Sequence, residues 1–428
     1  MKLNFKELIK DKFVLGTFFL TAANFAGSFL NYLVHPILTR HLSVSAYGDF
    51  QALLSFSTVV GIIGAVISMA LTKEFSVLAL DRREVIKPLL RRALGYLSIL
   101  GLVIFIVILF FSNSFNRLFN IPEPAILIIS SLSLLYIFPL LVNKAVLSGL
   151  QRFPALSIIN LTEPVFRLVL IILLVVIFPW GVNGAAWSLA LTGLVAFLFS
   201  FWPIKKINLP DAAHEIKVSL RALAPYAALV LWFIVLTQFF YNFDMLLVKS
   251  SLDSETAGLY GALLTIGRII YFIGGAVPLV MFPVVAGLKN DSSLRRYSVL
   301  GKSLGLMAVL AVPAYLFIAL WPEFMVKIVV GAKYLSIASY LPSFALVMLL
   351  LTLVMVLANY FLALGNYYSL IILSFMAVLE TVLLVFFANG LTEIILYLGL
   401  VFSLAVISLL FLALFEYNKT RRFLNKLS

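Results

Sequence analysis

The sequence predicts an all-α, polytopic membrane protein of about twelve transmembrane helices in two pseudo-symmetric six-helix lobes. Composition, the length of the apolar stretches and an internal repeat predict it. Of 428 residues, 63% are hydrophobic and only 11% charged, and mean hydropathy is +1.12. A chain so poor in charge cannot cover a water-facing surface, so its solvent is lipid.

The first lobe's stretches are 13–34, 50–71, 93–111, 125–147, 155–178 and 184–204. The second lobe's are 222–248, 259–286, 303–320, 335–364, 369–387 and 394–415. A helix rises about 1.5 Å per residue and the hydrocarbon layer is about 30 Å thick, so runs of this size are single helical crossings. A membrane barrel would instead show alternation over about ten residues. Charges up to Lys12, with no small-residue cleavage site after a short apolar core, predict that the first stretch is retained rather than removed as a signal peptide.

The net charge of +13 does not predict nucleic-acid binding, because the basic residues follow topology instead of lining a groove. With a cytoplasmic N-terminus, 23 Lys and Arg fall on the cytoplasmic side and 5 on the outer side, while Lys144, Arg167 and Arg268 lie within spans. This skew puts both termini of a multi-pass protein in the cytoplasm, and the expected location is the cytoplasmic (inner) membrane. Having no Cys, the chain holds neither disulfides nor thiolate metal sites.

The repeat appears at a shift of about 210 residues. There 42–55 reads LSVSAYGDFQALLS and 252–265 reads LDSETAGLYGALLT, pairing Gly48 with Gly258 and Phe50 with Tyr260. At a shift of 216, Asn143 and Gly149 fall on Asn359 and Gly365, each Gly expected to end a helix. The lobes are therefore 1–204 and 222–428, the second with a basic cytoplasmic tail, joined by a polar cytoplasmic linker at 205–221 that contains Pro210.

Polar residues inside the spans are the candidate machinery. In the first span Thr17, Thr21, Asn24, Ser28, Asn31 and His35 recur at intervals of three and four, which places them on one helix face. Such a face either packs on another helix or lines a wet lumen, and two Asn among six favour the lumen. Thr237, Tyr241 and Asp244 share a face of the seventh span by the same spacing. Arg268 lies about ten residues into the eighth span with no carboxylate at i±3 or i±4. It is satisfied either by a carboxylate from another helix, such as Asp244 or Glu163, or by an anionic substrate.

Glu163 and Arg167 stand at i and i+4 with Pro164 between them, a pair suited to structure or gating. Lys144, at the cytoplasmic end of the fourth span, either snorkels to the interface or makes first contact with a phosphate. Glu380 matches Glu163 across the repeat within one residue, making both candidates for coupling to H+ or Na+. No GxxxxGK[ST] loop and no HExxH occur, and three scattered His complete the inventory. No cofactor, ATP hydrolysis or metal catalysis is expected, and the chain reads as a transporter, not an enzyme.

LTRHLSVSAYGDF at 38–50, SGLQRF at 148–153, NFDMLLVKSSLDSETAGLYGA at 242–262 and FLALGNYY at 361–368 together resemble the Wzx-type polysaccharide-biosynthesis flippases. These share a superfamily with the MATE drug exporters and the lipid II flippases. The resemblance implies two lobes around a V-shaped cavity that carries a polyprenyl-diphosphate-linked oligosaccharide across the bilayer by alternating access. It also implies, as partners, the glycosyltransferases and polymerase that build the glycan. On that footing Asn24, Asn31, Asn143, Asn359 and Tyr241 would contact sugar, Arg268 and Lys144 the diphosphate, and Asp244, Glu163, Arg167 and Glu380 would couple or gate. The alternatives are a MATE-like cation-coupled exporter, which calls for an acidic lumen, and a membrane-embedded polysaccharide polymerase, which calls for a catalytic His or Asp cluster. The spans carry three cations against three carboxylates and no such cluster.

Overall fold

The computed structural model describes residues 12–81, 83–121, 123–207, 224–288 and 294–427. Among them are only helices and their connections, and eleven helices are long and apolar enough to cross a membrane. A further helix, α1 (Lys12–His41), carries the first predicted stretch. The protein is a multi-pass membrane protein. The chain divides into two compact units, Met1–Ala222 and Leu223–Ser428. The expected linker at 205–221 falls mostly outside the described residues.

In the N-terminal unit α1 is followed by α2 (Val44–Asp81), α3 (Ile86–Phe110), a short α4 (Ser112–Leu118), α5 (Pro124–Ser131), α6 (Leu134–Gly149), α7 (Phe153–Ile171) and α8 (Gly181–Lys205). A π turn, Ile172–Ile177, extends α7. The C-terminal unit runs through α9 (Ala224–Gln238), a π turn at Phe239–Phe243, α10 (Asp244–Ser251), α11 (Ser254–Gly274) and α12 (Ala276–Gly287). It closes with α13 (Arg295–Leu320), a short α14 (Pro322–Val329), α15 (Leu341–Leu364), α16 (Tyr368–Phe386) and α17 (Leu391–Leu427).

The repeat is written into where helices begin. Starts at Val44, Ser112 and Gly181 recur at Ser254, Pro322 and Leu391, each 210 residues later. The cap chemistry repeats as well. Ser43 Oγ accepts from the Ala46 N–H at 3.1 Å, and Asp253, 210 positions on, accepts from the Thr256 N–H at 2.9 Å. Each occupies the N-cap and satisfies the third N–H of its helix, which would otherwise lack a partner. Their aromatic neighbours Phe50 and Tyr260 are both fully buried.

The two glycines matched at a shift of 216 differ in role. Gly365 sits at φ +70°, and the Asn366 and Gly365 N–H groups return to the Phe361 and Leu362 carbonyls, a left-handed cap closing α15. In α6 that geometry belongs to Gln151, at φ +54°, with Arg152 and Gln151 N–H groups bonded to Leu147 and Ser148. Gly149 is instead required by closeness: a Cβ there would stand 2.6 Å from Phe75 Cβ and 2.9 Å from the Thr72 carbonyl. Both glycines end their helices as expected, Gly365 through the left-handed cap and Gly149 as the last residue of α6, where it also packs α6 against α2.

Candidate functional site

The polar groups of the N-terminal unit converge on α7. Asn160 Nδ2 donates to Asn24 Oδ1 at 3.0 Å, and Arg167 Nη1 donates to Asn31 Oδ1 at 3.0 Å. Both bonds join residues 136 apart, so α1 and α7 run parallel in fixed register. Gly27 lies between them, and a Cβ there would come within 3.3 Å of Pro164 Cγ. A small residue facing a proline ring lets the helices approach while amides bond across them, a usual way of joining helices in lipid. Thr21, Asn24 and Ser28 remain exposed, and Asn31 and His35 are half-buried. His35 turns to α2, its Nδ1 3.0 Å from the Tyr47 hydroxyl. The Thr17 side chain is outside the described set.

Glu163 stands at the centre of this group. Its Oε1 takes Arg167 Nη2 at 3.3 Å and its Oε2 takes Lys144 Nζ at 3.4 Å, so one carboxylate serves two cations from α6 and α7. The side chains keep 17–28% exposure, and the trio retains one net positive charge. Lys144 is therefore tied into the unit, and Arg167 Nε is left buried without a partner. Asn143, on the same helix as Lys144, is fully buried and donates to Ser200 Oγ at 2.7 Å.

A second group lies in the C-terminal unit. Arg268 on α11 is 8% exposed, donates through Nη2 to the Tyr241 carbonyl at 2.7 Å and stacks over the Tyr241 ring with Cζ 4.3 Å from its centroid. Tyr271 backs that ring at 4.7 Å between centroids. Among the described residues Arg268 makes no ion pair, and its Nε has no hydrogen-bond partner. Tyr241 belongs to the π turn, where the backbone is wound wider than an α-helix and polar groups are freed for other partners. Tyr241 meets Arg268, while Asp244 is 2% exposed and accepts from the Tyr260 hydroxyl and the Met245 N–H.

Glu380 on α16 is fully buried, and neither carboxylate oxygen has a hydrogen-bond partner. It is close enough to Asp244 for the two to act on each other electrostatically, as Asp244 and Arg268 do. Asn359 is half-buried and returns its amide to the Met355 carbonyl at 2.8 Å. Arg268, Tyr241, Asp244 and Glu380 thus share one neighbourhood, and Asn24, Asn31, Lys144, Glu163 and Arg167 share another.

Sequence reasoning missed three participants. Asn160 stands seven residues before Arg167 and could have been found by the spacing that exposed the stripe on α1. Tyr260 entered only as a repeat match. Lys249 is fully buried, and its Nζ donates to Ser254 Oγ at 2.6 Å. A lone Lys at a span end gives no signal of that burial.

A family model described as "Polysaccharide biosynthesis protein" matches residues 37–339. Comparison with curated proteins finds no match. Among solved structures, an inward-facing multidrug resistance MATE family transporter of the MOP superfamily superposes with TM-score 0.75 at 14% identity, over 92% of this chain and 95% of that one. The lipid II flippase MurJ, in an inward closed conformation, gives 0.70 at 16% identity, over 94% and 89%. A MOP superfamily transporter from Pyrococcus furiosus, described by the reverse polarity of its binding pocket, gives 0.63 at 15%, over 95% of each chain. At such identities the likeness establishes the fold, which is that of the MATE and MurJ transporters.

Proposed function

The chain belongs to the polysaccharide biosynthesis protein family, and from that we propose that it is a flippase carrying a polyprenyl-diphosphate-linked oligosaccharide across the cytoplasmic membrane by alternating access. The observation that carries this reading is Arg268: a guanidinium deep in an apolar span, with a carbonyl and a ring face as neighbours and no carboxylate at ion-pair distance among the described residues. Leaving such a charge uncompensated in lipid is costly, and a phosphate supplies the planar pair of oxygens that a guanidinium fork binds. The net positive Lys144–Glu163–Arg167 group, beside the amides of Asn24, Asn31 and Asn160, suits an anion followed by sugar hydroxyls. Tyr241 and Asn359, both half-buried, are the proposed sugar contacts of the C-terminal unit, whereas Asn143, fully buried against Ser200, packs its own unit; the lipid chain stays in the bilayer.

A second element of the proposal is ion coupling. Glu380, buried with both oxygens free of partners and near Asp244, supports uptake of H+ or Na+ in the cycle, with Glu163 and Arg167 as gating groups.

The test is flipping of a lipid-linked oligosaccharide in proteoliposomes with matched amounts of folded protein. Arg268→Ala is expected to abolish flipping and Arg268→Lys to retain part of it, since an ammonium acts only as a point charge. Normal flipping by a stable Arg268→Ala protein would remove Arg268 from the substrate path. Glu380→Gln is expected to remove any response to an imposed pH or Na+ gradient. An unaltered response would remove the coupling role.

A further inference from the structure

One end of the C-terminal unit holds a half-open cavity of about 250 Å³ that none of the groups above explains. Four elements wall it: the start of α13, the end of α15, the turn into α16 and the last third of α17. Arg296 and Glu416 both line it, with Tyr297, Tyr360, Tyr367 and Tyr368. Exposed Arg295, Lys419, Arg421 and Arg422 surround the same end, which the basic skew assigns to the cytoplasmic face.

The walls are set by local structure. The left-handed cap at Gly365 turns the chain sharply, and Asn366 Oδ1 accepts from the Tyr368 N–H at 2.9 Å, so Tyr367 and Tyr368 are held with ring centroids 4.3 Å apart. Arg296 Nη2 donates to the Tyr297 hydroxyl at 3.0 Å and to Thr420 Oγ1 at 2.8 Å, while its Cζ lies 5.0 Å from the Tyr297 ring centroid. Those bonds fix the guanidinium but leave Nε buried without a partner. The Tyr360 hydroxyl, on a side chain 1% exposed, is also buried and unpartnered. Among the described residues Arg296 and Glu416 form no ion pair although they line one cavity.

Two unsatisfied donors, a cation and a carboxylate held apart, and several tyrosine faces specify a ligand. Its anionic group must lie toward Arg296 and Tyr360, and its cationic group must face Glu416 and the aromatic rings. A purely anionic ligand would set its charge against Glu416. We propose that this cavity binds the headgroup of a zwitterionic phospholipid, phosphodiester toward Arg296 and Tyr360, ammonium toward Glu416 and the tyrosines. The space is many times what a single water needs, so it has room for a group of several heavy atoms such as phosphoethanolamine. The position at the end of four spans favours a lipid over a solute, since the acyl chains then continue along apolar helix surface. The assignment is independent of the transported substrate.

The test is lipid retention by the full-length protein, read by native mass spectrometry after reconstitution in equal mixtures of phosphatidylethanolamine and phosphatidylglycerol. The wild type is expected to keep phosphatidylethanolamine preferentially. Glu416→Gln, which preserves shape, is expected to lower that preference about tenfold by removing the ammonium's counter-charge. Tyr360→Phe removes a hydroxyl that has no internal partner, so folding should be unaffected or improved while retention falls severalfold. Preferential phosphatidylglycerol retention by the wild type, or an unchanged lipid ratio in Glu416→Gln, would overturn the proposal. Displacement of the lipid by equimolar soluble phosphoethanolamine would overturn the lipid as the source of the headgroup.

Discussion

Asn31 and Arg167 meet at 3.0 Å two helical turns beyond the Asn24–Asn160 bond, so α1 and α7 are fastened at two heights by side chains alone. Interhelical hydrogen bonds in membranes couple by about 0.6 kcal/mol on average and up to about 1.7 kcal/mol. A double-mutant cycle of Asn31→Ala with Arg167→Ala, measured by unfolding in bicelles, is expected to give about 1 kcal/mol of coupling. Strict additivity would show that the contact carries no energy.

Glu163 is the one carboxylate shared by two cations, so removing its charge leaves both without a counter-charge in an apolar surround. Glu163→Gln should destabilise by about 2 kcal/mol, below the cost at a fully buried pair because these side chains are partly exposed. Replacing Lys144 and Arg167 by Met in the same protein should recover most of the loss. Wild-type melting of the single variant would mean that the trio is not held by charge.

Gly149 and Gln151 make opposite predictions two residues apart. Gly149→Ala drives a methyl group against Phe75 Cβ and the Thr72 carbonyl, and backbone cannot yield cheaply, so a loss of about 1–3 kcal/mol is expected. Gln151→Gly relieves a left-handed residue and should stabilise by up to about 1 kcal/mol. Thermal unfolding of both variants checks the pair, and equal effects would contradict the cap geometry.

Reporter fusions after Arg83 or Lys206 should read as cytoplasmic, and fusions after Asn113 or Ala332 as outside. The opposite result at any two of these sites would sink the orientation drawn from the basic residues.

Asp253 provides a pH test away from the spans. The Thr256 hydroxyl, together with the Thr256 and Glu255 N–H groups, holds its carboxyl below the usual carboxylate range. Because the folded value is the lower one, the cap's contribution is complete above the unfolded value near about 4 and is lost as pH falls through the folded value. Asp253→Ala should cost about 1 kcal/mol at neutral pH. Asp253→Asn should keep most of the cap yet show a smaller fall in melting temperature between neutral and acidic pH than the wild type. An identical fall would exclude Asp253 from the acid response.

The spans and the repeat were legible because both are one-dimensional: apolar length and spacing along the chain determine them. The 210-residue offset read from paired Gly and aromatic residues reappears in the starts of α2, α4 and α8 against α11, α14 and α17. Partnerships between helices were not legible, since a stripe on α1 does not say which helix it faces. Asn143 illustrates this, its partner Ser200 lying 57 residues away. Nor does helical spacing announce the π turn at Phe239–Phe243, where the seventh predicted span departs from α-helix.

Trp180 and Trp202 cap the two ends of α8, both about half exposed, with Lys206 Nζ 3.7 Å from the Trp202 ring centroid. Indole rings settle at the headgroup level, so this pair works as a ruler. Twenty-two residues at about 1.5 Å each set the rings about 33 Å apart along the helix, close to a hydrocarbon layer of about 30 Å. The protein is thereby matched to membranes of ordinary thickness, and shorter acyl chains would strand its aromatic girdles or force the bilayer to stretch around it.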